Sequence, residues 1–141
     1  MQKQFSSGAI IFYEGRNGRE YLLLKDPYGR WTFPRGIVKE EENSVDAVKR
    51  DVTEEIGLKQ VEFISGFKET QQSMFTFEAE LILKKVTWYL AKSAERKVKR
   101  SNGHQDYKWC KLNAANRLID IRTNQNLLKK VDEFLEIPRL I

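Results

Sequence analysis

Residues Gly36–Leu58, GIVKEEENSVDAVKRDVTEEIGL, combine an apolar helical stripe with a dense set of acidic side chains. Asn43 is a favourable N-cap for a helix that starts at Ser44, and Gly57 is a favourable C-terminal stop. Between them, apolar residues recur at steps of three and four, the spacing of one face of an α-helix: Val45, Val48, Val52 and Ile56. We therefore predict an amphipathic helix whose apolar face packs on the rest of the protein.

The opposite face of this helix is crowded with carboxylates. Asp51, Glu54 and Glu55 stand at positions i, i+3 and i+4, so their side chains leave neighbouring positions of one helical face. Within the helix only Arg50, four residues before Glu54, has the spacing that would pair it with one of these acids. Uncompensated carboxylates favour a hard divalent cation such as Mg²⁺ or Mn²⁺. The alternative is the solvated face of an ordinary amphipathic helix.

The stretch as a whole resembles the signature of the Nudix hydrolases. Every spacing fits, and the one departure is Asp51, where the signature has glutamate; the matching positions are Gly36, Glu42, Arg50, Asp51, Val52, Glu54, Glu55, Gly57 and Leu58. The resemblance implies an α/β/α sandwich with a mixed sheet. It also implies a loop-helix-loop that holds a divalent cation and cleaves a nucleoside diphosphate linked to another group.

The same resemblance assigns roles to individual residues. Gly36 and Gly57 are implied to be structural, and Arg50 and Glu42 to form an internal salt bridge that shapes the loop. The implied catalytic and metal-binding residues are Asp51, Glu54 and Glu55, with the backbone carbonyl of Arg35 as a further metal ligand.

Length and composition favour one domain over residues 1–141. The chain is 40% apolar and 11% aromatic, which suffices for a core, and it has neither a twenty-residue apolar run nor a leader or lipidation signal. A cytoplasmic location is the expectation. Cys110 is the only cysteine and His104 the only histidine, so an internal disulfide, cysteine-based zinc sites and histidine-rich metal sites are excluded.

The formal net charge is +5, and much of the excess lies in Lys92–Arg100, KSAERKVKR. We interpret this segment as a mobile, solvated loop whose field attracts anions. A small nucleoside polyphosphate fits that field, and nucleic acid is the less favoured partner. We expect no membrane association and a monomer or weak dimer.

The remaining chain predicts a mixed α+β fold. Strands are predicted at Ser6–Tyr13, Tyr21–Lys25, Trp31–Phe33, Val61–Thr70, Lys85–Ala91 and Tyr107–Leu112, with the register after Thr70 left open. Asn102-Gly103 predicts a turn. A short helix follows Asn113 through Leu118, and a final helix begins at Thr123 or Asn124 and runs to Glu136.

Beyond the signature, the chain is similar to the asymmetric diadenosine tetraphosphate hydrolases. The matching segments are SSGAIIF, WTFPRG, GFKET, VTWYLA and HQDYKW. The WTFPRG match implies that Arg35 binds phosphate, and Arg30 and Lys68 could add charge. Tyr28, Phe75 or Phe77 could stack on an adenine ring, with core packing as the alternative for each aromatic.

One expected carboxylate is missing. In many of these hydrolases a glutamate precedes the HQDYKW-like strand, and Gly103 occupies that position here. The alternatives are a replacement carboxylate from Glu69, Glu78 or Glu80, His104 as base, or a slow enzyme. We leave the general base open between Glu54 and a carboxylate outside the signature.

The sequence thus predicts a metal-dependent enzyme that converts diadenosine tetraphosphate to ATP and AMP. The alternatives are an RNA 5′-pyrophosphohydrolase or another Nudix nucleotide pyrophosphatase, and a weakly active or inactive nucleotide-binding module.

Overall fold

The computed structural model describes residues 1–99 and 103–137, which are organised around one mixed β-sheet. The described strands are Gln2–Gly15 (β1), Gly18–Lys25 (β2), Trp31–Thr32 (β3), Arg35–Ile37 (β4), Val61–Phe77 (β5), Glu80–Ser93 (β6) and Asp106–Cys110 (β7). Their order is β3-β2-β1-β6-β5, with β4 paired to β1 and β7 to β2. β1 and β6 run parallel, and the other described pairs are antiparallel.

Helices cover both faces of this sheet. They are Ser44–Arg50 (α1), Leu112–Leu118 (α2) and Arg122–Glu136 (α3), and a π-helical turn at Asp51–Glu55 continues α1. No helix in the described residues is long and apolar enough to cross a membrane.

The two faces bury separate apolar clusters. On the face covered by α1, here called the α1 face, Val48 and Val52 pack with Ala9 and Ile11 of β1. On the opposite face, here called the α3 face, α2 and α3 pack over Trp88 of β6. The sheet lies between helices, which confirms the predicted α+β sandwich with a mixed sheet.

The predicted strands are present, but four of them, β1, β2, β5 and β6, are longer than predicted. Their added residues are mostly polar and pair with a neighbouring strand through backbone hydrogen bonds, which do not depend on the side chains. The register left open after Thr70 runs from Lys68 opposite Tyr89 to Phe77 opposite Glu80. The strand predicted to end at Leu112 ends at Cys110, because Leu112 begins α2.

The helix predicted through Ile56 is α-helical only to Arg50. Asn43 caps it as predicted, accepting a hydrogen bond from the Asp46 backbone N–H at 2.8 Å. Beyond Arg50 the carbonyl of Asp51 accepts from Ile56 N, an i→i+5 bond that widens the turn. Val45 is 37% exposed, so its place in the buried stripe was wrong; apolar packing starts one turn later, at Ala47 and Val48.

The basic segment is anchored in its described part, so the prediction of a mobile, solvated loop was wrong there. Val98 is 5% exposed and joins the apolar cluster of the α1 face. Arg96 pairs with Glu20 at 3.0 Å, and Lys99 N donates to the Ile56 carbonyl at 2.8 Å. One valine between lysines provides the apolar anchor. Arg100 of this segment and Asn102 of the predicted turn lie outside the described residues.

Candidate active site

A bidentate ion pair between Arg50 and Glu42 closes the loop between β4 and α1. Arg50 donates from Nε to Glu42 Oε2 at 2.7 Å and from Nη2 to Glu42 Oε1 at 3.0 Å. Its Nη2 also donates to the Ile37 carbonyl at 3.2 Å, and the Lys39 N–H donates to Glu42 at 3.0 Å. The bonds from Arg50, and then from Lys39, lower the pKa of Glu42 to about 2. The salt bridge implied by the Nudix resemblance is therefore present.

Asp51 turns inward against the motif glycine. Asp51 is 7% exposed. This burial, followed by the charge of Glu55, raises the pKa of Asp51 to about 6. A Cβ atom on Gly36 would lie 2.7 Å from Asp51 Oδ1. Position 36 thus needs glycine because a carboxylate approaches it closely.

Asp51 and Glu55 face one cavity of about 370 Å³, which Arg35, Gly36 and Gly103 also line. Glu54 does not belong to this lining. Its charge, after those of Glu42 and Asp51, helps to raise the pKa of Arg50. Within residues 1–99 and 103–137, no three carboxylate, imidazole or thiol groups converge closely enough to hold a metal ion.

The predicted three-carboxylate cluster is therefore only partly assembled. The i, i+3, i+4 argument assumed an α-helix, and the π-helical turn changes which side chains share a face. Asp51 and Glu55 remain neighbours whose charges disfavour each other, a cost that a divalent cation between them would offset. Hard oxygen donors that leave much of the coordination shell open fit Mg²⁺ or Mn²⁺. The carbonyl of Arg35 stays a predicted further ligand.

Arg35 lies where three cavities meet. The first is the 370 Å³ cavity of Asp51 and Glu55. The second, of about 220 Å³, is lined by Asp26, Tyr28 and Arg30. The third, of about 260 Å³, is lined by Gln71, Ser73 and Lys84. The side chain predicted to bind phosphate thus borders both the acidic pair and two further recesses.

Three cations crowd around this junction. Burial, and then repulsion by Arg30, lowers the pKa of Arg35, which Asp26 partly opposes. Burial, followed by repulsion from Arg35 and Arg30, lowers the pKa of Lys84. Arg30 also pairs with Asp26 at 3.3 Å, and the remaining repulsion among the three cations would favour an anion at this surface. Sequence reasoning missed Lys84, because Lys84 of β6 and Arg35 of β4 come together only through β1, which pairs with both strands.

Lys68, predicted to add charge at the site, lies on the opposite sheet face from Lys84 and lines none of the three cavities. It is opposite Tyr89, whose hydroxyl hydrogen-bonds Ser44 of α1 at 2.6 Å, and cross-strand partners share a face. Lys68 therefore belongs to the α1 face, away from the third cavity, which Gln71 and Lys84 line on the α3 face. The prediction was wrong because side chains alternate along a strand and the sequence did not fix the register.

The aromatic candidates are exposed, so core packing does not explain them. Tyr28 is 84% exposed, and the Arg30 guanidinium lies 5.6 Å from its ring centroid. Phe75 is 42% exposed and stands opposite Ile82, two residues from the Ser73–Lys84 pair on the same sheet face. Phe77, which is 60% exposed, ends β5. Of these three candidates, Tyr28 lines the cavity of Arg30, and Phe75 shares a sheet face with Lys84.

Gly103, which stands where many of the related hydrolases have a glutamate, lies at the candidate site. Gly103 lines both the cavity of Asp51 and the cavity of Arg30. Of the proposed replacements, Glu69 pairs with Lys130 of α3 at 3.6 Å, while Glu78 and Glu80 lie at the β5–β6 turn. None of the three lines the cavity of Asp51. His104 is buried, with 8% of its surface exposed.

Comparisons with known proteins agree with this geometry. The NUDIX domain model matches residues 4–131. The chain is 31% identical to the asymmetrical bis(5′-nucleosyl)-tetraphosphatase of Caenorhabditis elegans over 92% of this chain and 95% of the relative. The Mus musculus protein of the same name is 30% identical over 82% and 80%.

Solved structures give the same result. The crystal structure of a C. elegans Ap4A hydrolase binary complex matches with a TM-score of 0.82 at 29% identity, covering 94% of this chain and 97% of that one. The Escherichia coli dihydroneopterin triphosphate pyrophosphohydrolase shares the fold, with a TM-score of 0.72 at 19% identity over 92% and 97%. The chain therefore belongs to the Nudix family of pyrophosphohydrolases.

Proposed function

We propose that this enzyme hydrolyses diadenosine tetraphosphate to ATP and AMP in the cytoplasm, with Mg²⁺ or Mn²⁺ as cofactor. The observation that carries the proposal is the position of Arg35, where the cavity of Asp51 and Glu55 meets two cation-lined recesses. The relatives named bis(5′-nucleosyl)-tetraphosphatase support the same substrate.

The charge pattern suits a long phosphate chain. Arg35 and Lys84 are disfavoured by each other and by Arg30, so a chain of phosphates along this junction would offset their repulsion. The planar fork of arginine can bind two phosphate oxygens at once, and lysine acts as a point charge. A substrate with four bridged phosphates spans this junction more completely than a mononucleotide does.

The exposed aromatics suit a substrate with a base at each end. Tyr28 borders the recess on one side of Arg35, and Phe75 follows the Ser73–Lys84 pair on the other side. Each ring could stack on an adenine, a contact worth about 1–3 kcal/mol per base. A dinucleotide would use both rings, whereas a nucleoside triphosphate would use one.

The residues around the cavity have different proposed roles in hydrolysis. Asp51 and Glu55 would hold the divalent cation, with the Arg35 carbonyl as a further ligand. The bound cation would lower the pKa of the attacking water and offset negative charge on the phosphoryl group. Water adds to one phosphorus, and the phosphoanhydride bond to the leaving nucleotide breaks. Arg35 and Lys84 would hold the phosphate chain during this step.

Glu54 is the proposed general base, because it lies between Asp51 and Glu55 on the same turn and is exposed. Nudix hydrolases generally use divalent metal ions. The ion pair of Glu42 and Arg50 would hold the loop before α1 in place, and with it the close contact of Asp51 with Gly36.

Product chromatography on a substrate panel tests the proposal. The panel contains diadenosine tetraphosphate, ATP, a sugar nucleotide and 5′-triphosphorylated RNA, each with Mg²⁺ and with Mn²⁺. We expect fastest turnover of the dinucleotide, with equal amounts of ATP and AMP. Faster removal of pyrophosphate from RNA or from a nucleoside triphosphate would assign the enzyme to another Nudix branch.

A nucleotide-binding module that cleaves slowly or not at all is the second candidate. It is favoured by Gly103 at the position of a carboxylate and by the dispersed carboxylates of the π-helical turn. Tight binding of the dinucleotide in Mg²⁺ without turnover over hours would support this module.

A further inference from the structure

Ser7 of β1 carries a buried hydroxyl that the fold itself does not use. Ser7 is 1% exposed, and its Oγ has no hydrogen-bond partner among the described side chains and backbone groups. A buried hydroxyl without a partner is unfavourable, and alanine would fill the same position without that cost. The hydroxyl therefore points to a use in another state of the protein.

The sheet register directs Ser7 toward Asp51. Ser7 pairs with Gly36 of β4, and paired residues have side chains on the same face, with Cβ positions about 4.5–5.5 Å apart. A Cβ atom on Gly36 would in turn lie 2.7 Å from Asp51 Oδ1. Ser7 and the Asp51 carboxylate therefore border the same space, which Gly36 leaves open by having no side chain.

The helix that carries Asp51 covers this part of the sheet. Ala9 and Ile11, two and four residues after Ser7 on β1, pack against Val48 and Val52. Side chains two residues apart on a strand share a face, so Ser7 also lies on the α1 face.

We infer that Ser7 is a positioning residue for Asp51, whose carboxylate accepts a hydrogen bond from the Ser7 hydroxyl when a divalent cation is bound. The inference rests on the proposed function, because it takes Asp51 as a metal ligand. A carboxylate that gives one oxygen to a cation keeps lone pairs for a donor, and such donors fix the orientation of the ligand. The serine hydroxyl can reach a new partner by changing rotamer, without movement of β1.

Mn²⁺ titration calorimetry combined with thermal unfolding tests this inference in the full chain. Ser7→Ala should bind Mn²⁺ about tenfold more weakly than wild type, the effect of losing a hydrogen bond to a charged group. The Tm of metal-free Ser7→Ala should be equal to that of wild type or higher, since the variant removes an unsatisfied hydroxyl. Ser7→Cys keeps the size but donates weakly, so its affinity should fall between the two.

Thr87→Val is the matched control. Thr87 is 7% exposed and pairs with Ser7 on the side away from Gly36, so valine removes a buried hydroxyl from the same face at nearly constant shape. Its Mn²⁺ affinity should equal that of wild type.

Three results would overturn the inference and leave the proposed function in place. They are unchanged Mn²⁺ affinity in Ser7→Ala, equal losses in Ser7→Ala and Thr87→Val, and a lower metal-free Tm in Ser7→Ala, which would indicate a merely structural role. Failure of wild type to bind Mn²⁺ would remove the proposed metal site and this inference together.

Discussion

The substitution Gly36→Ala should lower the rate of hydrolysis while changing the stability of the protein little. The new Cβ would lie 2.7 Å from Asp51 Oδ1 and 3.1 Å from its Cγ, whereas ordinary van der Waals contact begins at 3.4 Å. The Asp51 carboxylate must therefore withdraw by about 0.7 Å, the difference between these contact distances. The group that yields is the end of a side chain, so the strand and the turn can stay in place.

The expected effect on rate follows from this displacement. A misplacement of about 1 Å at a reacting centre costs about a hundredfold in rate, so a 0.7 Å shift predicts a loss of about 10- to 50-fold. Gly36 is not among the glycines with positive φ, so alanine is compatible with its backbone. Removing glycine from the unfolded chain stabilises a compatible site by about 0.4–1 kcal/mol, which offsets part of the contact strain. The free energy of unfolding should therefore change by less than about 1 kcal/mol.

The assay is steady-state hydrolysis of diadenosine tetraphosphate over a Mg²⁺ titration, with urea unfolding of the same preparations. Gly8→Ala is the contrasting variant, because its Cβ would meet the Trp88 ring and the Pro34 carbonyl in the core. That variant should lose at least about 1–3 kcal/mol of stability, the usual cost of overpacking a core position. Wild-type activity in Gly36→Ala, or destabilisation equal to that of Gly8→Ala, would refute the assignment of the Gly36 contact to catalysis.

Three further predictions concern charged residues. Glu55→Gln should abolish metal-dependent turnover while the circular dichroism spectrum stays unchanged; substantial turnover with an unaltered metal titration would show that the acidic pair is not the site. Lys84→Ala should raise KM for the dinucleotide about tenfold, as loss of a phosphate contact implies, and Lys68→Ala, on the opposite face, should not; equal effects would contradict the strand register. The folded pKa of Glu42 is about 2, against an ordinary 4.5, so its contribution to stability is complete above pH 4.5 and is lost as pH falls toward 2. Glu42→Gln should therefore unfold more readily at pH 7 and show a flatter acid dependence between pH 4.5 and 2; an unchanged acid profile would indicate that Arg50 pairs elsewhere.

Local patterns in the sequence predicted the loop and the start of the helix correctly. The Asn43 cap depends on residues three positions apart, and such a spacing is visible in one sequence. The Glu42–Arg50 pair was implied by the resemblance to the Nudix signature, and the structure contains it. Predictions that depended on strand register failed. A shift of one residue moves a side chain to the other face, which is why Lys68 was assigned to the site. Lys84 was missed because it meets Arg35 only through β1, which pairs with both of their strands.

The π-helical turn was also invisible in the sequence, since its residues fit an α-helix as well as they fit a wider turn. Its hydrogen bonds come partly from the basic segment that composition alone indicated to be solvated. Lys99 N donates to the Ile56 carbonyl at 2.8 Å, and Lys99 Nζ donates to the Glu54 carbonyl at 3.3 Å. A cation at the C-terminal end of a helix is favourable because the last carbonyls carry partial negative charge.

These contacts of Lys99 connect the basic segment to the candidate active site. The Lys99 bonds hold the end of the turn that positions Asp51 and Glu55, and Val98 fixes the segment in the core of the α1 face. Gly103, four residues after Lys99, lines the cavities on both sides of Arg35. The connection between β6 and β7 therefore contacts the acidic turn through Lys99 and borders the proposed phosphate-binding cavities through Gly103. A substrate bound at Arg35 would contact the same connection that holds the acidic turn in its widened form.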